Sequence, residues 1–163
     1  MHSNHDPDRD ARGATHREAL WGLPDPQYQA EFYEDVPLKR ALAWLIDTVI
    51  VFALTFLAVV FTVGIGLFFV AFLFMVIGFA YRVITITNSG ATIGMRLVAI
   101  ELRTHRGTRP GLATATLHTL GYSIAFSMVL LQLVSIILML TTPRGQGLHD
   151  MVLGTAMVNR ASA

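Results

Sequence analysis

The chain has 163 residues, 53% of them hydrophobic and only 14% charged, with a mean hydropathy of +0.55; a soluble domain is about 25% charged, so this balance points to lipid. It contains no cysteine, which excludes disulfides, thiolate metal sites and a cysteine nucleophile. The formal net charge of +1 hides an asymmetry: residues 1–38 carry three Arg against eight Asp and Glu, and residues 39–163 carry nine Lys and Arg against three acids.

The start, Met1-His2-Ser3-Asn4-His5-Asp6, lacks the basic-then-apolar order of a cleavable signal peptide. The first apolar helix is therefore expected to act as its own insertion signal. Residues 1 to about 27 are polar, rich in Asp, Arg, His and Pro, and without period. They are expected to form a disordered acidic tail, because they cannot bury enough apolar surface to offset ordering entropy. His2, His5, Asp6, Asp8, Asp10 and His16 do not repeat at ligand spacing, so the expectation there is a solvated tail and no metal. Trp21, Tyr28, Phe32 and Tyr33 precede the first apolar run, where aromatic rings favour the headgroup layer. Residues 27–37 thus read as an interfacial approach, with Pro37 where a helix can begin. The domain division that follows is a tail over 1–35 and a membrane domain over 36–160.

Residues 41–63 predict the first span and residues 67–86 the second, since about 20 residues suffice to cross ~30 Å of hydrocarbon. Gly64-Ile65-Gly66 is the break between them. Lys39 and Arg40 precede the first span, while Arg82, Arg96, Arg103, Arg106 and Arg109 end or follow the second. The positive-inside rule then places the N-terminus and the 87–110 loop in the cytoplasm, at a cell inner (plasma) membrane.

Asp47 is the only side chain charged at neutral pH between Arg40 and Arg82. A carboxylate at that depth is costly and should face protein or water. Arg40 lies seven residues earlier, almost two helical turns, and so shares a face with it. If the chain reverses about Ile65, Asp47 lies 18 residues before the turn and Arg82 lies 17 after it, at similar depth. Asp47 therefore has two candidate partners, Arg40 on its own helix and Arg82 across the hairpin; pairing would offset much of the desolvation.

Asn88-Ser89-Gly90 signals a turn. Arg96 to Arg103 is partly β-branched and roughly alternating, which predicts a short strand over 96–103. Residues 111–140 are apolar and uncharged apart from His118; they read as one tilted span, or as an interfacial helix followed by a second helix. Thr142-Pro143-Arg144-Gly145 ends that run, and the tail offers a second short strand over 152–158.

Arg40 with Asp47, the Gly90-Ala91-Thr92-Ile93-Gly94 loop followed by Arg96, and Leu148-His149-Asp150 followed by Gly154-Thr155 form an ordered set. Together they resemble the RDD family of membrane proteins over roughly residues 36–160. The resemblance implies that Arg40, Asp47 and Asp150 are the arginine and two aspartates for which that family is named. The loop has Met95 where the family usually carries lysine, and His118 stands near a position where it often carries arginine. Some members have been linked to cation/proton exchange, and others are membrane modules beside unrelated domains.

The trio bears on topology: Asp150 meets Arg40 only if the C-terminal segment returns to the side of the N-terminus, and the two strands pair only under the same condition. This favours a broken or re-entrant pair of helices over 111–140. The expected fold is an all-α membrane protein with a transmembrane helical hairpin, a third apolar segment and a small cytoplasmic β element pairing 96–103 with 152–158.

Arg40, Asp47, Arg82 and Asp150 form the candidate buried charge network, with His118 as the candidate proton relay. No H-E-x-x-H, G-x-S-x-G or paired catalytic acids occur, so an enzyme with a catalytic residue or cofactor is not expected. Nor is nucleic acid an expected partner, since no basic tract is interleaved with aromatics. The expected partners are the lipid bilayer, a second copy of the chain or another membrane protein. The preferred reading is a membrane scaffold or accessory module; the alternative is a small oligomeric proton/cation exchanger using Asp47 and Arg40.

Overall fold

A computed structural model describes residues 22–160. The first long helix, α1 (Val36–Phe61), begins with Pro37 in its first turn, where a missing N–H costs nothing. Its buried side chains Ala43, Asp47, Val51 and Thr55 recur every fourth residue and form one narrow stripe. Large apolar residues such as Phe52 and Phe56 point outward. This arrangement suits a helix surrounded by acyl chains, where small residues mediate helix contacts and bulky ones meet lipid.

Val63 and Gly64, both at positive φ, stop α1. A 3-10 turn over Ile65–Phe69 leads into α2 (Val70–Ser89). The two helices pack as a hairpin and meet tightly at Gly78: a Cβ there would sit 3.3 Å from Val51 Cγ1. The helical stretches Ala30–Phe61 and Ile65–Ser89 are each long and apolar enough to cross a membrane. The expected spans 41–63 and 67–86 fall within them.

After α2 the expected strand over 96–103 is divided. Thr92 accepts a hydrogen bond from Met95 N and caps a short helix, α3 (Ile93–Leu97), which contains Arg96. Ala99, at φ 57°, turns the chain, so the strand β1 is Ile100–Thr104.

The run 111–140 is a broken pair. Helix α4 (Leu112–Ser127) and helix α5 (Val129–Thr141) meet at 117° across Met128, whose backbone is extended. Neither proline nor glycine stands at the break. The hydroxyls of Ser123 and Ser127 each bond the carbonyl four residues back, at 2.8 Å, a pattern that weakens and bends helices. Helix α6 (Leu148–Leu153) follows and absorbs the first residues expected in the second strand. Gly154, at φ 63°, ends α6 and releases β2 (Thr155–Asn159).

β1 and β2 pair antiparallel, with Leu102 opposite Met157 and Thr104 opposite Thr155. A core of Val36, Ala43, Ile86, Ile100, Leu102, Ala115 and Met157 joins this ribbon to the α1 N-terminus and the α2 C-terminus. Burial therefore concentrates at one end of the bundle, where the backbone leaves regular helix.

Residues 22–35 correct the expected tail over 1–35. Leu23 and Tyr33 are buried against Ala156 and Val158, Gly22 N–H donates to His105 O at 2.8 Å, and Asn159 donates to the Glu31 and Glu34 carbonyls. The apolar face of β2 supplies the contacts that composition alone did not reveal. The rest of the tail, with His2, His5, Asp6, Asp8, Asp10, His16 and Trp21, lies outside the described residues.

Candidate functional site

Among the described residues three carboxylates are buried: Glu101 of β1, paired with Arg103 and Arg160 at the ribbon, and, among the helices, Asp47 at 2% and Asp150 at 0% exposure. Asp47 sits midway along the buried stripe of α1. Its Oδ1 accepts from Tyr81 Oη of α2 at 2.6 Å and from Gly94 N of α3 at 2.8 Å. Its Oδ2 accepts from Thr92 Oγ1 at 2.6 Å. Tyr81 Oη in turn accepts from Ile93 N at 3.1 Å. The Gly90–Gly94 loop thus wraps onto α1 and satisfies the carboxylate with neutral donors, which supply the charge-assisted hydrogen bonds that a buried anion requires.

This corrects the expected pairing of Asp47 with Arg40 or Arg82. Tyr81, one residue from Arg82 and at similar depth, does reach Asp47. Adjacent residues on a helix point about 100° apart, and the face turned to α1 belongs to the tyrosine. The guanidinium of Arg82 instead lies 4.7 Å from the Tyr122 ring centroid on α4 and donates to Gly78 O at 3.4 Å.

Asp150 gathers the other group. Its Oδ2 accepts from Arg40 Nη1 at 2.6 Å and from Gly147 N at 3.0 Å, and its Oδ1 accepts from Thr155 Oγ1 at 3.3 Å. Arg40 also donates to Gly145 O at 3.3 Å. One ion pair thereby ties the start of α1 to the loop before α6 and to β2. Beside it, Lys39 Nζ reaches Asn159 Oδ1 at 2.8 Å, and Gln146 Nε2 donates to Thr155 O at 2.6 Å.

His118 of α4 and His149 of α6 stand edge to face, ring centroids 4.7 Å apart, next to Asp150. His118 Nδ1 lies 3.3 Å from Asp150 Oδ1 and His149 Nε2 lies 3.7 Å from it. These residues offer three ligand atoms within 4.8 Å of one another, a set able to hold a divalent cation. The Arg40 guanidinium already neutralises the same carboxylate, so an added dication would sit against a fixed positive charge.

Burial pushes the His149 imidazole below its ordinary value, and Arg40 adds to that shift while the Asp150 carboxylate opposes it. For Asp150, burial acts upward, but the Arg40 guanidinium and its hydrogen bond, together with His118 and His149, outweigh it and hold the carboxyl well below the usual range.

Sequence reasoning brought Arg40 and Asp150 together and placed His118 near them only through the family pattern. It missed Tyr81, Thr92 and Gly94 as the Asp47 clasp. The signal was present in the Gly-x-Thr-x-Gly spacing of 90–94, which packs a hydroxyl and an open N–H against one point.

Comparison with protein-family models matches residues 36–154 to the family described as RDD. Searches of the curated proteins and of the solved structures returned no match.

Two outcomes are expected. A Cβ at Gly94 would lie 2.4 Å from Ala43 O and 2.8 Å from Asp47 Oδ1, so Gly94→Ala should push the loop off α1. Its cost should be about 2 kcal/mol or more in detergent unfolding; an unchanged midpoint would contradict the clasp. The second concerns pH. Both His149 and Asp150 have folded pKa values below their unfolded ones, so the unfolded chain binds protons first and stability falls as pH falls. The loss should begin near pH 6.5 for the histidine and near 3.8 for the aspartate. His149→Asn should lessen the upper part of the decline and leave the lower part, as read from unfolding midpoints across pH.

Proposed function

The chain belongs to the RDD family, and on that premise we propose that it is a non-enzymatic, multi-pass scaffold or accessory module of the cell inner membrane. Its two long apolar helices make it a membrane protein. For orientation, Lys39, Arg40, Arg96, Arg103, Arg106 and Arg144 belong to the segments around the β ribbon and the start of α1. In this reading that end is cytoplasmic, as the positive-inside rule requires. The broken α4–α5 pair dips into the bilayer and returns, which leaves both ends of the described chain on one side.

The observation that carries the proposal is the saturation of the two carboxylates buried among the helices, Asp47 and Asp150. Asp47 accepts three hydrogen bonds from groups of α2, α3 and their connecting loop. Asp150 accepts from Arg40, Gly147 and Thr155. A carboxylate engaged in this way holds helices in register; a transported ion would need oxygens free to exchange partners. The outward faces of Phe52, Phe56, Phe68 and Phe72 remain for lipid, a second copy or another membrane protein.

Purified full-length protein in sealed vesicles with an entrapped pH dye provides the test. The expected result is no cation-driven proton flux above that of protein-free vesicles, with Asp47→Asn lowering stability by about 2 kcal/mol or more. Flux in the wild type that Asp47→Asn abolishes while the fold persists would instead establish the exchanger.

A further inference from the structure

Helices α1, α2, α4 and α5 enclose a cavity of about 620 Å³. Trp44, Phe126, Ile136 and Leu140 line it and are also exposed on the outside of the bundle. The cavity therefore opens onto the apolar surface, at the level where acyl chains surround the protein. Its volume lies within the range that holds a headgroup and the first part of a chain.

Of the charged side chains in its wall, two are engaged. Arg40 is bonded to Asp150 and Asp47 to its three donors. Arg82 is different. Among the described residues it has no carboxylate within ion-pair distance. A ring face and one long bond to a carbonyl occupy only part of a guanidinium that carries five donors in a rigid fork. In hydrocarbon, unmatched donors and an unneutralised charge demand an acceptor. A second observation converges on the same place. Thr119, three residues before Tyr122 on α4, is 1% exposed and lines the cavity, and among the described residues its hydroxyl has no hydrogen-bond partner.

We propose that this cavity binds an anionic amphiphile, with a phosphate or carboxylate head on Arg82 and the Thr119 hydroxyl, and an acyl chain along Phe126, Ile136 and Leu140. The guanidinium fork matches two oxygens of such a head, which a neutral head does not supply. A chain leaving through the exposed apolar rim stays in the bilayer. The site goes beyond the scaffold reading and stands without it, since neither Arg82 nor Thr119 takes part in the two carboxylate clusters.

Trp44, in the cavity wall, reports on occupancy once Trp21→Phe makes it the sole tryptophan of the full-length chain. The probes are phosphatidylcholine vesicles containing either brominated phosphatidic acid or brominated phosphatidylcholine, whose bromines quench a nearby indole. Brominated phosphatidic acid should reach half-maximal quenching at about a tenfold lower mole fraction, the ratio expected of a charge-assisted hydrogen bond. Arg82→Gln should erase that preference and Arg96→Gln, at an exposed residue, should preserve it. Thr119→Val, which leaves every charge in place, should reduce it. Equal quenching by the two lipids, or a preference unchanged in both Arg82→Gln and Thr119→Val, would overturn the proposal. Relief of the quenching by inorganic phosphate alone would also overturn it, because the site would then read a free anion and not an amphiphile.

Discussion

A carboxylate cannot lie bare in hydrocarbon, and Asp47 and Asp150 are buried among the helices. The fold is arranged to meet that demand in two ways. Asp150 takes a guanidinium, and the bond to Arg40 spans 110 residues of sequence. Asp47 takes two hydroxyls and a backbone N–H, drawn from α2, from the Gly90–Gly94 loop and from the start of α3. The Gly90–Gly94 loop, the start of α3, the loop before α6 and the start of β2 are each held by one of these two anions.

The division of labour between polar and apolar contacts follows from the solvent. Between helices inside a bilayer, apolar burial has little driving force, because lipid tails are as apolar as leucine. Packing of α1 on α2 therefore relies on the closeness that Gly78 permits beside Val51. At the ribbon end water returns and an ordinary core forms, with Ile100, Leu102 and Met157 fully buried. The carboxylate clusters stand where these two regimes meet. That position explains how the two-stranded ribbon stays in place: Gln146 and Lys39 bind the two ends of β2, and Arg40 binds the loop before α6.

The hairpin was legible in the sequence because hydropathy and charge asymmetry both act over tens of residues and average out local noise. The return of the C-terminal segment was legible too, through the demand that Asp150 and the second strand find partners. Finer features were hidden for identifiable reasons. The partner of Asp47 turned on helix rotation, which distinguishes Tyr81 from Arg82 but leaves their depth alike. The strand limits turned on Thr92 as a cap and on Ala99 and Gly154 at positive φ. The break at Met128 carried neither of the usual residues, and Leu23 and Tyr33 were covered by β2, a partner more than 120 residues away in sequence.

The ion pair between Arg40 and Asp150 is the joint that closes the molecule on itself, so its coupling energy is the most direct measurement. Unfolding of the full-length protein in detergent should be followed for Arg40→Gln, for Asp150→Asn and for the two combined. Each single change should cost about 3–5 kcal/mol, since it leaves a buried partner uncompensated. The combined change should then cost no more than the larger of the two, which marks strong coupling. If the two losses simply add, the residues act independently and the joint does not exist.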